Sequence, residues 1–364
     1  MKSIIKTAKQ FAINGSIASI EPYGNGHINT TFLITTDTDS QYILQKINTS
    51  VFKDPYQLMD NIVRVTTYLK NQVASRGGDP DREVLGIVPT VEGDSYTVQD
   101  NSAWRLLTFV KDSITFQVID DPKNFYYAGK AFGNFTSQLD QFPADTLFET
   151  IKNFHNTPSR YKDFEAAVER NASGKAADVC DEIEFVRQRK DFCSLFTDKI
   201  KDGSLPLRVT HNDTKLNNVL FDKHTKLPVA VIDLDTVMPG LSLYDFGDAI
   251  RFGTNPADED EKDLSKVFCD LELFEAFTRG YLESCGNLLC PEELEMLPYA
   301  GKMLTLECGM RFLADHIAGD VYFKIHRENH NLDRARTQFK MVKDMEEKHD
   351  QLTEIVQRLI KEIL

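Results

Sequence analysis

The sequence has few cysteines and no long apolar run. Its 364 residues include six cysteines, and no two of them are spaced as Cys-x-x-Cys. That spacing is common in zinc sites and redox motifs, so its absence favours buried thiols in a reducing compartment over zinc ligands or a disulfide framework. No apolar stretch is long enough to cross a bilayer, and the first residues do not follow a secretory signal pattern. We therefore expect a cytoplasmic protein without a membrane partner.

Positive charge is also scarce. The chain has 42 Lys and Arg against 56 Asp and Glu, which gives a formal net charge of −14 at pH 7. A chain this acidic repels the phosphate backbone of nucleic acids, so we expect no nucleic-acid partner. A nucleotide can still bind, because one local lysine and a metal ion can reverse the field at a small site.

Two common nucleotide-binding motifs are absent. Gly174-Lys175 is followed by Ala176 and lacks the upstream glycine of a phosphate-binding P-loop. Gly24-x-Gly26 lacks the third glycine of a dinucleotide fingerprint, and no helical pattern follows it directly. A nucleotide site in this chain must therefore be built in another way.

The order of the predicted elements indicates two lobes. Residues 1–110 contain mainly short strand-like segments and one helix, which begins at Asp54-Pro55 with a capping residue and a proline suited to the first turn. Residues 111–364 are mainly helical, apart from a strand-and-loop segment at 207–235. This order predicts an α+β, two-lobed protein-kinase-like fold, with an N-terminal antiparallel sheet and a mainly helical C-terminal lobe.

Turn residues and changes of period give the bounds of the single elements. The predicted strands are 17–23, 30–35, 42–47, 87–90, 95–99 and 104–110. Gly93-Asp94 is expected to form a hairpin turn between the fourth and the fifth of these strands. The predicted helices are 124–141, 180–196, 264–284, 291–318 and 332–363.

One polar segment has the spacing of a phosphotransferase catalytic loop. His211, Asp213 and Asn218 follow the pattern His-x-Asp-x-x-x-x-Asn, and Asp233 ends an apolar strand further along the chain. In phosphoryl transfer, the protein aligns the acceptor hydroxyl, accepts its proton and neutralises the phosphates. Asp213 suits the role of base, and Asn218 and Asp233 supply the hard oxygen ligands that Mg²⁺ prefers. His211 is expected to brace the loop.

The same residues also have a structural interpretation. Asp213 and Asn218 are residue types that cap turns, and Asp233 could simply open a loop. The strand-rich segment upstream and the apolar strand before Asp233 favour the catalytic interpretation, because the conjunction is much rarer than the spacing alone.

At these residues the chain resembles the aminoglycoside phosphotransferase-like superfamily, and within it the N-acetylhexosamine 1-kinases. The similar segments include GNGHINTTF (24–32), THNDTKLNNVLFD (210–222), VIDLDTVMPGLSLYDFGDAIR (231–251) and LECGMRFLADHIAGDVYF (306–323). The resemblance implies a kinase that uses ATP and Mg²⁺ to phosphorylate the anomeric hydroxyl of N-acetylglucosamine or N-acetylgalactosamine. Its partners are then a sugar substrate and a nucleotide.

The resemblance also assigns roles to single residues. It implies Asp213 as the base, Asn218 and Asp233 as metal ligands, and Arg311 and Tyr322 as contacts to the sugar. His27, Asn29 and Asp320 are further expected sugar contacts. Arg311 has a simpler alternative, an ion pair with Glu307 or Asp315. Asp245 is expected to brace the catalytic loop. The segment 155–160 lies just outside the catalytic segments, where it either lines the sugar side or caps a helix, and it is not assigned to the site.

The nucleotide contacts depart from the family pattern at one position. The third strand should end in a basic residue that reaches the phosphates, but Gln45 precedes Lys46, and the two side chains face opposite sides of a strand. Lys46 is the better chemical choice, with Asp60 as a candidate partner or else a free surface carboxylate. Further expected contacts are the backbone around Gly24 and Gly26, which a plain hairpin turn explains equally well, and the strand end at Thr108 and Val110, where adenine would bind.

Two other functions remain open at this point. The first is a related kinase for another hydroxyl compound, such as an aminoglycoside, choline or another hexose. The second is a nucleotide-binding protein without turnover; the uncertain lysine favours it, and the presence of Asp213, Asn218 and Asp233 counts against it.

Overall fold

The computed structural model of the chain describes residues 2–24, 28–117, 119 and 121–364. It contains two compact units, neither of which is continuous in sequence. The first unit comprises Met1–Thr115, Gln141–Lys152 and Val219–Met238, and the second comprises Phe116–Asp140, Asn153–Asn218 and Pro239–Leu364. The predicted division into lobes of residues 1–110 and 111–364 stays a prediction.

The first unit contains a mainly antiparallel sheet. Its strands are β1 (Ile17–Pro22), β2 (Thr30–Thr36), β3 (Gln41–Lys46), β4 (Ile87–Val88), β5 (Thr97–Gln99) and β6 (Ser102–Thr108). The order is β1-β2-β3-β6-β4, with β5 also paired to β6. The predicted sheet is therefore confirmed. The turn at Gly93-Asp94 does form, but the hairpin prediction is wrong, because β4 and β5 both pair with β6 and not with each other.

Three helices accompany this sheet: α1 (Lys2–Ala8), α2 (Pro55–Ser75) and α3 (Pro80–Glu83). The predicted start of α2 is confirmed, since the Asp54 carboxylate accepts the N–H groups of Tyr56 (3.0 Å) and Gln57 (3.3 Å). One core cluster packs α1 against one face of the sheet through Ala8, Phe11, Ile34, Leu44 and Trp104.

The strands of the predicted strand-and-loop segment 207–235 belong to two smaller sheets, each of which also includes a strand from outside that segment. In the first unit, β7 (Ser113–Ile114) and β10 (Pro228–Val231) flank β9 (Val219–Asp222), and Val231 is paired with Val219. The other sheet consists of β8 (Arg208–Thr210) and β11 (Met238–Gly240). Both small sheets present polar loops at their strand ends.

The second unit is mainly helical. Its helices are α4 (Pro122–Gln138), α5 (Thr157–Arg170), α6 (Cys180–Arg187), α7 (Leu195–Lys201), α8 (Ser242–Gly253), α9 (Leu271–Cys285), α10 (Pro291–Ala318), α11 (His330–Glu347) and α12 (His349–Ile363). The predicted helix 291–318 is confirmed. The predicted helix 332–363 is interrupted at Lys348, and the predicted helix 180–196 ends at Arg187. Helices α5, α7 and α8 are additions that the sequence patterns did not predict.

No helix among the described residues combines the length and the apolar character needed to span a bilayer.

Candidate functional site

The loop after β8 is fixed by a buried carboxylate of α8. Asp245 accepts the backbone N–H groups of His211 (2.9 Å) and Asn212 (2.6 Å). Asn212 has a φ of 64°, a left-handed conformation that asparagine tolerates better than most residues. Burial raises the pKa of Asp245 to about 6. The expected bracing role of Asp245 is confirmed.

His211 supports the same loop from its own side chain. The N–H of Asp213 donates to His211 Nδ1 over 3.3 Å. The ring is buried, and its centroid lies 5.6 Å from that of Phe132 and 5.8 Å from that of Phe135. Because Nδ1 accepts a hydrogen bond, the neutral ring carries its proton on Nε2. As predicted, His211 braces the loop.

A second carboxylate of α8 holds the residue after Asp213. The N–H of Thr214 donates to Asp248 Oδ2 over 3.1 Å, and its hydroxyl donates to the carbonyl of Asp245 over 2.5 Å. Asp248 is itself paired with the buried Arg251 at 2.9 Å. The backbone on both sides of Asp213 is therefore fixed.

The carboxylate of Asp213 has two polar partners. Lys215 Nζ lies 2.8 Å from Asp213 Oδ1. Asn218 Nδ2 donates to the Asp213 carbonyl over 2.8 Å and to its Oδ2 over 3.2 Å. Burial favours the neutral acid, but the charge of Lys215 and its hydrogen bond outweigh it and hold the pKa of Asp213 below its ordinary value. The side chain nevertheless remains 27% exposed, so an ionised carboxylate is accessible at neutral pH.

Lys215 was not among the predicted site residues. Its position two residues after Asp213 was the available signal, because a cation this close in sequence can reach the carboxylate across one turn. The positive charge depresses the pKa of its partner, as a neighbouring opposite charge does generally.

The segment 155–160 contacts both the catalytic loop and helix α10. His155 Nε2 is 3.3 Å from the carbonyl of Asn212, and His155 Nδ1 is 2.9 Å from Glu307 Oε1. Glu307 also accepts the hydroxyl of Thr157 over 2.7 Å. A histidine and a glutamate with little exposed side-chain surface therefore link this segment and α10 to the residue before Asp213. The helix-capping interpretation of the segment is confirmed, since Asn156 accepts the N–H of Ser159 over 3.1 Å at the start of α5.

Asp233, the second predicted metal ligand, belongs to the first unit. It follows β10 and has a φ of 61°, and a short turn of Leu234–Thr236 comes next. In that turn, Asp235 is paired with Arg105 of β6 at 2.5 Å, and its other oxygen accepts Asn29 Nδ2 over 2.6 Å. None of these contacts was predicted.

The two faces of the sheet separate Gln45 from Lys46. Gln45 lies opposite Arg105 across the strands, whereas Lys46 lies opposite Trp104. Trp104 packs in the core cluster with α1, so Lys46 is directed to that side of the sheet and Gln45 to the side of Asp235. Lys46 is exposed and forms no ion pair within the described part of the chain.

Asp60 does not pair with Lys46. Its carboxylate lies 3.4 Å from Arg64 Nη1, one turn further along α2. Neither the predicted partner role nor the free surface carboxylate therefore describes this side chain.

The remaining predicted nucleotide contacts lie at strand ends of the first unit. Gly24 follows β1 with a φ of 72°. Thr108 ends β6, and its N–H donates to the carbonyl of Gly86 over 2.9 Å. The carbonyl of the buried Val110 accepts the Ser113 hydroxyl over 2.7 Å. Gly26 and His27 lie outside the described residues. These roles stay predictions.

The structure brings Arg311 and Tyr322 together in the second unit. The Arg311 guanidinium lies 6.0 Å from the ring centroid of Tyr322 and 5.4 Å from that of Phe323. Tyr322 is 66% exposed. Asp315 accepts the N–H groups of Tyr322 and Phe323 over 2.8 and 2.9 Å, which fixes this loop. Asp315 and Glu307, the two carboxylates of the ion-pair alternative, are thus bonded to other groups. No ion pair of Arg311 occurs among the described residues.

Asn29 and Asp320, two further predicted sugar contacts, have hydrogen-bond partners within the protein. Asp320 accepts Asn331 Nδ2 over 2.8 Å and lies 3.8 Å from Lys175 Nζ. Asn29 bonds Asp235, as noted, and its Oδ1 accepts the N–H of Asn48 over 3.0 Å. Both side chains serve to connect loops.

A family model described as "Phosphotransferase enzyme family" matches residues 19–284 of the chain. The fold is similar to that of a microcompartment-associated aminopropanol kinase, with a TM-score of 0.61, 16% identity and coverage of 96% of this chain and 98% of that one. It is also similar to an aminoglycoside phosphotransferase from Alicyclobacillus acidocaldarius, with a TM-score of 0.62, 12% identity and coverage of 98% and 96%.

A third solved structure is an amicoumacin kinase in complex with AMP-PNP, Ca²⁺ and Ami. Its TM-score is 0.60 at 14% identity, with 95% of this chain and 93% of that chain covered. The predicted architecture is confirmed by these similarities, which extend over nearly the whole chain.

Proposed function

The chain belongs to the phosphotransferase enzyme family, and we propose that it transfers the γ-phosphoryl group of ATP to the anomeric hydroxyl of an N-acetylhexosamine. The observation that carries this proposal is the state of Asp213. Its backbone is fixed on both sides by Asp245 and Asp248, and Lys215 favours its ionised form. A fixed, accessible carboxylate is what a base for an acceptor hydroxyl requires.

In the proposed reaction, Asp213 accepts the proton that the acceptor hydroxyl loses. As the acceptor oxygen attacks the γ-phosphorus, its proton passes to Asp213, the bond to the bridging oxygen of ATP breaks, and ADP leaves. Lys215 stabilises the carboxylate before the transfer. His211 and His155 keep the loop in position without exchanging protons with the substrate.

The residues present suit a magnesium ion. Asn218 uses its amide nitrogen to donate to Asp213, which directs its oxygen away as a ligand. Asn218 immediately precedes Val219, and Val219 is paired with Val231, two residues before Asp233. These features support Asn218 and Asp233 as ligands, and both offer the oxygen donors that Mg²⁺ prefers. The bound ion would neutralise charge on the phosphates.

The preference for a sugar is supported by the charge around Arg311. Burial and the positive charge of Arg311 lower the pKa of Arg160, so a second guanidinium group adds to the positive charge around Arg311, which lies 6.0 Å from the Tyr322 ring. Such a region favours neutral oxygen-rich groups that accept hydrogen bonds, and it disfavours a cationic amine. The exposed ring of Tyr322 offers a flat surface on which a sugar ring can pack.

A kinase for an amino alcohol or an aminoglycoside is the second candidate. The similar solved structures include an aminopropanol kinase and an aminoglycoside phosphotransferase. The acidic net charge of −14 would attract such cations over long range.

The first prediction tests both candidates in one panel. Purified protein with MgATP is offered N-acetylglucosamine, N-acetylgalactosamine, glucose, choline, aminopropanol and an aminoglycoside, and ADP release is recorded. We expect turnover with an N-acetylhexosamine, and phosphorus NMR of the product should show a 1-phosphate. Asp213→Asn should lower kcat by about 100- to 10,000-fold, because it removes the base.

The outcomes distinguish a sugar kinase from a kinase for an amine substrate and from a nucleotide-binding protein without turnover. Turnover with only an amine substrate makes the sugar assignment wrong and leaves the kinase. Nucleotide binding without ADP release from any compound favours a binding protein. Asn134→Ala, on the exposed face of α4, is the matched control and should retain full activity.

A further inference from the structure

Asp235, two residues after the predicted metal ligand Asp233, is a buried carboxylate with partners on two other segments of the first unit. Its side chain is 6% exposed and that of Arg105 is 3% exposed, with Arg105 Nη1 at 2.5 Å from Asp235 Oδ1. Asp235 Oδ2 accepts Asn29 Nδ2 over 2.6 Å. Asp235 is therefore held by an ion pair with β6 and by a hydrogen bond from the residue that precedes β2.

The remaining nitrogens of Arg105 are used by Gln45. Arg105 Nε and Nη2 donate to Gln45 Oε1 over 2.9 and 2.7 Å, and Gln45 Nε2 donates to the Thr31 hydroxyl over 3.2 Å. A lysine at position 45 would place an ammonium group against the guanidinium. Gln45 therefore stands where a basic residue was expected for a physical reason: Arg105 already supplies the buried positive charge on this face of the sheet.

Arg105 is poorly placed to contact a phosphate itself. All its nitrogens have partners within the chain, and almost none of its surface is exposed. Its effect on the site must therefore pass through Asp235. Asp235 lies two residues after Asp233, in the same short turn, so a fixed Asp235 restricts where the Asp233 carboxylate can be.

We propose that Arg105 is a positioning residue, which together with Gln45 and Asn29 holds Asp235 and so orients Asp233 for a divalent metal ion. The inference rests on the proposed function, which supplies the metal-bound nucleotide. Residues that hold a metal ligand in orientation typically contribute about 10- to 100-fold to metal affinity. The network would do so from within the first unit of the protein, without itself contacting a phosphate.

The second prediction is measured without turnover. Mn²⁺ binding in the presence of ADP is titrated by electron paramagnetic resonance for the full-length protein and its variants. Arg105→Lys and Asp235→Asn should each weaken Mn²⁺ binding by about 10-fold or more. The double variant should be no weaker than the worse single variant, because both remove the same contact. Asn29→Ala leaves the buried ion pair intact and should weaken binding in the same direction.

The matched control is Arg82→Lys. Arg82 is paired with Asp222 at 2.6 Å in the same unit, but it has no contact with Asp235, so Mn²⁺ affinity should not change. If Arg105→Lys, Asp235→Asn and Asn29→Ala all bind Mn²⁺ as tightly as the unaltered protein, the inference alone is wrong. If the unaltered protein binds no Mn²⁺ with ADP, the proposed function is wrong and the inference is lost with it.

Discussion

At the scale of the residue, the charge beside Asp213 sets the pH range in which it can accept a proton. Lys215 lowers the pKa of Asp213, so the carboxylate stays ionised further into the acid range than an ordinary aspartate. The third prediction is that Lys215→Met moves the acid limb of the kcat/KM profile to higher pH. Without the ammonium group, burial is opposed only by the weaker influences of His211 and Arg251 and the pKa of the carboxylate rises, so activity is lost earlier as the pH falls.

The control for this profile is Lys223→Met. Lys223 is exposed in the turn between β9 and β10, so its replacement changes the net charge equally without altering the surroundings of Asp213. Coincident acid limbs for Lys215→Met and the unaltered protein would contradict the assignment of Asp213 as the titrating base.

Single residues also mark the limit of what the sequence could predict. The spacing of Asp213 and Asn218 is local, and the two side chains do meet. The bond between Asn29 and Asp235 joins residues 206 positions apart, and that between His155 and Asn212 joins residues 57 apart. No local pattern encodes such pairs, because they depend on how the strands and helices are arranged in space.

At the scale of the element, two helices of the second unit are in contact through their backbones. A Cβ added to Gly129 of α4 would lie 2.3 Å from the carbonyl oxygen of Phe277 in α9, and one added to Gly280 would lie 2.1 Å from that of Tyr126. Glycine is required at both positions because a backbone atom, unlike a flexible side chain, cannot move aside without shifting the helix.

The fourth prediction is that Gly129→Ala destabilises the protein. In an isolated helix this change is favourable by about 1 kcal/mol, but forcing α4 and α9 apart should cost about 1–3 kcal/mol or more in the free energy of unfolding. Urea denaturation followed by circular dichroism measures the difference. Asn134→Ala, exposed on the same helix, should be neutral or slightly stabilising; a stabilised Gly129→Ala would show that the contact is not tight.

Local signals at the helix ends and along the helix faces explain which helices could be predicted from the sequence. Helix α10 has Pro291 at its first turn and ends before Gly319, which has a φ of 100°, and both signals are local. Helix α8 is buried along nearly its whole length, so it lacks the alternation of polar and apolar residues on which recognition depends. In α5 the described buried residues are only Thr157 and Phe164, too few to form an apolar stripe.

At the scale of the whole molecule, net charge is a poor guide to local charge. The chain carries −14 overall, yet the candidate site and its surroundings contain buried or half-buried cations, namely Arg105, Arg160, Lys215 and Arg311.

The overall fold was more predictable from the sequence than these side-chain contacts. Similarity extends over nearly the full length of proteins with 12–16% identity, because the order of strands and helices persists while side-chain contacts change.

The fifth prediction concerns the thiols of the complete fold. All six cysteines are free; Cys180 is exposed, and the others are buried or partly buried. Burial raises the pKa of Cys193 and Cys269 to about 12 and that of Cys308 to about 11, so their reactive thiolate forms are scarce at pH 8. A chromogenic disulfide reagent should therefore modify one thiol rapidly in the native protein and six in urea. Cys180→Ser should abolish the rapid phase. A rapid phase that persists in this variant and is lost in Cys180→Ser/Cys290→Ser would assign it to the partly buried Cys290, and one that persists in both would mean that the core around α9 and α10 opens to solvent.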